Sequence, residues 1–102
     1  MVVNRKVSAA ARVLRVLMAL KGHTITGLSN AELAQLTQDS PSNITRAMQT
    51  LIEEGLAVKL DNGRFAHSVA VLQIAQAHAE HMARLTGRMQ EINQRIAAGS
   101  MV

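Results

Sequence analysis

No cysteine occurs among the 102 residues, which excludes disulfide frameworks, thiolate zinc sites and cysteine nucleophiles. Tryptophan and tyrosine are missing as well, and Phe65 is the single aromatic residue. A stacking platform for single-stranded nucleic acid needs several rings, and their lack argues against one. The core has to be assembled from Ala, Leu, Val, Ile and Met. No apolar run reaches the ~18–20 residues of a membrane-spanning helix, and the amino end has no long apolar stretch before a small-residue cleavage site. The expectation is a small cytoplasmic domain with no membrane partner. Paired-carboxylate motifs, phosphate-cradling glycine loops and nucleophile elbows are missing too. Hence no enzyme, no catalytic residue and no cofactor is expected.

What is present is the composition of one globular domain, 48% hydrophobic and 18% charged. Eleven Lys and Arg against seven Asp and Glu leave a formal charge of +4. Residues 1–68 hold eight of those bases and five of the acids. Such a surplus favours a polyanionic partner, the bland alternative being solubility.

Met1 to Lys6 has no helical period and carries Arg5 and Lys6, so residues 1–7 read as a flexible basic arm. Ser8 caps a first helix, in which Ala10, Val13, Leu14, Leu17 and Leu20 form a stripe and Gly22 is the stop. His23 to Leu28 is a loop or one short strand. Ser29 stands three residues before Glu32, the capping-box spacing, and opens a short helix from Asn30 to Thr37 with Ala31, Leu33, Ala34 and Leu36 as apolar members. Ser40-Pro41 opens a third helix to Glu54, ended by Gly55. Leu56–Leu60 and Arg64–Ser68 flank Asp61-Asn62-Gly63 and predict a β-hairpin.

From Val69 to Ala97 a heptad pattern places Ala75, Met82, Met89 and Ile96 at one seam position and Val71, His78, Leu85 and Ile92 at the other. These eight residues are the expected dimerisation seam of a rod about 43 Å long. His78 and His81 have the spacing of a chelating pair, but without a third ligand no metal is expected. His78 reads instead as a polar seam residue that disfavours tight association when charged. Met82 and Met89 read as adaptable packing. Gly99 to Val102 is expected to fray. The organisation is an arm over 1–7, a winged helix-turn-helix over 8–68, a long helix over 69–98 and a tail over 99–102. The fold class is mainly α with a small hairpin, plus a carboxy-terminal dimerisation helix.

On a helical wheel Ser42, Asn43, Arg46, Gln49, Thr50 and Glu53 share one arc of the third helix. Ile44, Ala47, Met48 and Leu51 share the opposite one. Arg can pair with guanine, and Asn or Gln with adenine, in the major groove. Two readings of the polar arc are open, base contact or a plain solvated face. It holds one acid and no Lys, whereas solvated faces are usually rich in Glu–Lys pairs. The DNA-contacting residues expected on this helix are Ser42, Asn43, Thr45, Arg46, Gln49 and Thr50, with Ser29 and Ser40 at the two helix starts. Lys59, Asn62 and Arg64 would form a basic wing tip along phosphates or the minor groove.

The segments VLRVLMAL, LSNAELAQLT, SPSNITRAMQTLIEEGLAV and DNGRFAH, in this order, resemble the amino-terminal DNA-binding domain of the IclR family of bacterial transcription regulators. The resemblance spans approximately Val7 to Ala75. It implies that Ser42, Asn43 and Arg46 occupy recognition-helix positions, that Asp61 to Arg64 form the wing, and that Ser29 starts the supporting helix. Two departures stand out. Gln38 replaces the usual glycine of the turn, and the family's effector-binding domain has no counterpart, so no small-molecule effector is expected. In this it is similar to minimal regulators of phages and mobile elements. The expected function is sequence-specific binding of double-stranded DNA as a homodimer, repressor-like and nucleoid-associated. The alternative is a protein-interaction adaptor that docks a partner through the winged helix and the heptad helix.

Overall fold

Residues 7–100 are described by the computed structural model, so residues 1–6 of the arm expected over 1–7 and the last two residues lie outside the described part. Helix α1 (Ala9–Ala19) begins where the Ser8 hydroxyl accepts the Ala11 N–H at 3.0 Å. Its buried stripe is not the expected one. Val16 and Leu20 are fully buried with Val13 and Leu17 packed beside them, whereas Ala10 is exposed and Leu14 is 61% exposed. The helix is apolar on several sides, and the side facing α2 and α3 is the one that counts. Leu36, expected inside, is likewise 61% exposed, and with Leu14 and Met18 it lines one surface cleft.

Helix α2 (Asn30–Thr37) starts with both halves of the capping box in place. The Glu32 N–H donates to Ser29 Oγ at 3.1 Å, and the Ser29 N–H donates to Glu32 Oε1 at 2.9 Å. It ends at Gln38 in the left-handed region, φ 56° and ψ 47°. That conformation costs a side-chain-bearing residue about 1–2 kcal/mol, of which glycine's greater unfolded-state freedom would return part. Gln38→Gly is therefore expected to stabilise the fold by roughly 0.5–1 kcal/mol, read as a higher midpoint in urea. An unchanged or lower midpoint would mean that the Gln38 side chain contributes a compensating contact.

Helix α3 (Pro41–Glu53) follows after one intervening residue and its cap, with Ser40 Oγ accepting the Asn43 N–H at 3.2 Å. Ile44, Ala47, Met48 and Leu51 are its buried residues, as the periodicity requires. They join Val16, Leu20, Leu28, Leu33 and Ala57 in one core against which Phe65 packs.

Strands β1 (Ala57–Lys59) and β2 (Phe65–His67) are each shorter than the sequence reading, because pairing extends only from Ala57↔His67 to Lys59↔Phe65. Beyond it the Leu60 carbonyl accepts from Gly63 at 2.9 Å, and the Leu60 N–H donates to the Arg64 carbonyl at 2.7 Å. Gly63 takes the positive φ of 83° while Asn62 does not. This is a three-residue connection closed by a left-handed glycine. The segment before α2 supplies a third, one-residue rung, in which Leu28 and Phe65 exchange two backbone hydrogen bonds of 2.8 Å. Gly27 makes that rung possible, since a Cβ there would lie 2.8 Å from the Phe65 carbonyl oxygen. The hairpin's far end is tied back by His67 Nε2, 2.7 Å from the Leu17 carbonyl, and by Ser68 Oγ donating to the Gly55 carbonyl at 2.6 Å.

Helix α4 (Val69–Ser100) continues through Gly99 and Ser100, where fraying was expected. A glycine at a helix end weakens but does not forbid the next hydrogen bond. The chain divides into two units between Val71 and Leu72. In the second unit the apolar seam residues Met82, Leu85, Met89, Ile92 and Ile96 are all exposed, and α4 buries none of its residues. No described helix is long and apolar enough to cross a membrane.

Candidate nucleic-acid interface

On the outer face of α3 several polar side chains stand free of the fold. Ser42, Arg46 and Gln49 are exposed, and no side-chain hydrogen bond ties them to another described residue. Their opposite neighbours Ile44, Ala47 and Met48 anchor the helix from behind. A rigid helix with an unpaired guanidinium, amide and hydroxyl on one side can offer donors and acceptors to base edges.

The other residues expected on this face have partners within the chain. Thr45 and Thr50 are exposed, but their hydroxyls bond one turn back, to the Pro41 carbonyl at 3.0 Å and the Arg46 carbonyl at 3.3 Å. Asn43 is half-buried, and its Nδ2 donates to Asp39 Oδ1 at 2.7 Å. Ser29 and Ser40 act as helix caps. Asn30, which the sequence reading passed over, donates from Nδ2 to Thr45 Oγ1 at 3.0 Å and to the Pro41 carbonyl at 3.3 Å. It fastens the start of α2 to the start of α3. An Asn one residue after an N-cap gives no sequence signal of such a bridge.

The wing differs from expectation in which way its polar groups point. Lys59 is exposed, with its ammonium 6.0 Å from the Phe65 ring centroid. Arg64 instead turns inward. Its Nε donates to the carbonyls of Thr26 and Gly27 at 3.1 and 3.3 Å, and its Nη2 pairs with Glu32 Oε1. Asn62 is also engaged, donating to the Thr26 carbonyl at 3.3 Å and accepting the Arg64 N–H at 2.9 Å. Arg64 thus braces the hairpin, the loop before α2 and the α2 capping box at once.

Two carboxylates hold the helix-turn-helix and its neighbours together. The Ser29 backbone N–H, outweighing partial desolvation and helped by Arg64, holds the Glu32 carboxyl below the ordinary carboxylate range. Burial pushes Asp39 up, but hydrogen bonds from Asn43, Arg12 and Ser40 together outweigh it and hold Asp39 low as well. Both acids bind a proton less readily folded than unfolded. Their contribution to stability is therefore whole above about pH 4–5 and is lost as pH falls through the depressed folded values. Thermal midpoints are expected to hold from pH 7 to 5 and to decline below pH 4, more shallowly in Asp39→Asn. An equal acid decline in that variant would remove Asp39 from the account.

The family model described as the IclR helix-turn-helix domain matches residues 9–61. No curated protein matches the chain. Among solved structures, that of a point mutant of Lactococcus lactis ZitR is similar, at 21% identity and a TM-score of 0.51. The alignment covers 93% of this chain and 66% of that one, and at such identity the likeness extends to the fold alone. The family match takes in more than half of the residues and runs from α1 through α2 and α3 into the hairpin turn. On that match, the chain belongs to the IclR helix-turn-helix family.

Proposed function

We propose that this DNA-binding regulator reads duplex DNA as a homodimer, with α3 in the major groove and the hairpin against adjacent phosphates. The observation that carries the reading is the free polar face of α3, with Ser42, Arg46 and Gln49 exposed over a fully buried apolar side. Residues 8–68 form the reading domain and residues 69–98 the dimerisation helix. Support for the second role is the heptad seam of Val71, Ala75, His78, Met82, Leu85, Met89, Ile92 and Ile96, exposed at every position but the half-buried Val71, whose burial against a second copy would remove apolar surface from water. Two-fold symmetry then calls for half-sites separated by whole helical turns, about 10 bp or a multiple. A repressor-like action fits a chain that occupies DNA through such a dimer.

The test is a titration of the chain against a random duplex at two salt concentrations, followed by selection of bound sites from a random pool. Tight, salt-sensitive binding and an enriched dyad are expected. No binding even at low salt would contradict the proposal and leave the adaptor reading. Sedimentation should give twice the mass of one chain, and a monomer would contradict the dimer.

The inward turn of Arg64 separates the two wing cations. Lys59→Ala is expected to weaken binding on all sequences and to shrink the salt slope by about 0.9 for one lost phosphate contact. Arg64→Ala is expected to lower the thermal midpoint through loss of the brace. An unchanged slope in the Lys59 variant would remove the wing from the interface.

A further inference from the structure

Asp39 lies in the turn between α2 and α3, and its carboxylate is approached from three directions. Oδ1 accepts from Asn43 Nδ2 at 2.7 Å and from the Ser40 N–H at 2.8 Å. Oδ2 accepts from Arg12 Nε at 2.7 Å, across to α1. An ionised carboxylate only accepts, so the end of the Asn43 amide that faces it has to be the nitrogen. The amide oxygen is thereby turned away from Asp39. Asn43 sits on the first turn of α3, three residues before Arg46 on the same arc.

We infer that Asp39 is a positioning residue that fixes the Asn43 amide in one of its two orientations, so that α3 selects an amino-bearing base, adenine or cytosine, at one position of the site. The inference rests on the DNA reading proposed above and adds a specificity rule to it. In the major groove adenine and cytosine present amino donors at N6 and N4, whereas guanine and thymine present the acceptors O6 and O4. An asparagine free to turn about its last torsion can meet either class. With one N–H held by Asp39, Asn43 offers its Oδ1 acceptor and one remaining N–H. Adenine can use both, through N6 and N7, and cytosine only the first. Guanine and thymine set acceptor against acceptor where they face Oδ1, and can meet only the one remaining N–H unless the Asp39 bond breaks.

Arg12 completes the device from another helix. Its guanidinium balances the carboxylate, and it holds Asp39 through the packed α1–α3 contact instead of through the turn alone. The amide is therefore oriented on folding, before any DNA arrives, which removes part of the ordering cost from binding.

The test is selection from a random duplex pool with the wild-type chain, Asn43→Ala, Asp39→Ala and Val16→Ala. Val16 is a fully buried α1 residue outside the polar interface, so its truncation controls for stability alone. One half-site position is expected to favour adenine or cytosine in the wild type and to lose that preference in Asn43→Ala. In Asp39→Ala the same position, and no other, should admit guanine and thymine, the bias falling roughly tenfold. Val16→Ala should leave every base preference in place. An unchanged profile in Asp39→Ala overturns the inference while the DNA reading stands, and so does an equal relaxation in Val16→Ala. A wild-type chain that enriches no duplex removes both. If Asp39→Ala does not fold, nuclear magnetic resonance of the wild type replaces it. One Asn43 amide proton coupled across the hydrogen bond to the Asp39 carboxyl carbon is expected. Two freely exchanging amide protons would overturn the inference.

Discussion

Ile44→Ala is expected to cost about 2–5 kcal/mol of folding free energy, the range for a fully buried aliphatic side chain cut back to a methyl. Ile44 is 0% exposed and lies in one core with Val16, Leu33, Met48 and Leu51. The core has one aromatic residue and few large side chains in reserve, so neighbours cannot easily collapse into the space left behind. Small domains hold only about 5–15 kcal/mol in total, and the loss would leave a measurable unfolded fraction at 37 °C. Urea unfolding should show a lower midpoint with an unchanged slope. A change below about 1 kcal/mol would mean that the back of α3 is not packed as described.

Arg46→Ala, two residues along the same helix, is expected to do the reverse. Arg46 is exposed with no side-chain partner among the described residues, so folding should change by no more than about 0.5 kcal/mol. Discrimination between a selected site and random duplex should fall by about 1–3 kcal/mol, or roughly five- to 150-fold. The two variants together separate the sides of α3, one carrying stability and the other recognition. Unchanged discrimination in Arg46→Ala would place base reading elsewhere.

Local signals in the chain were enough for the elements and their caps. The Ser29–Glu32 spacing, Ser40-Pro41 and the apolar period of α3 each act within a few residues and have their structural counterparts, and the helical period after Val69 is matched by the continuous helix α4. What failed was the choice between surfaces that local spacing leaves equivalent. In α1 the residues Ala10, Val13, Leu14, Val16, Leu17 and Leu20 support more than one stripe, and only packing against α2 and α3 selects Val16 over Leu14. The inward turn of Arg64 escapes the sequence for a related reason. Arg64 beside a tight turn looks like a free cation, yet its carboxylate partner Glu32 and its carbonyl partners at Thr26 and Gly27 are more than thirty residues away. The Asp39–Arg12 pair is equally invisible, since its members stand 27 residues apart. Long-range polar partners leave no periodicity to read.

The most direct measurement follows backbone and side-chain resonances of the whole chain as it is titrated with a duplex enriched from a random pool. The account predicts the largest changes at Ser42, Arg46 and Gln49 on α3, smaller ones at Lys59, and none at the exposed apolar residues Leu14, Met18 and Leu36. Changes confined to those apolar residues, with the outer face of α3 silent, would contradict it.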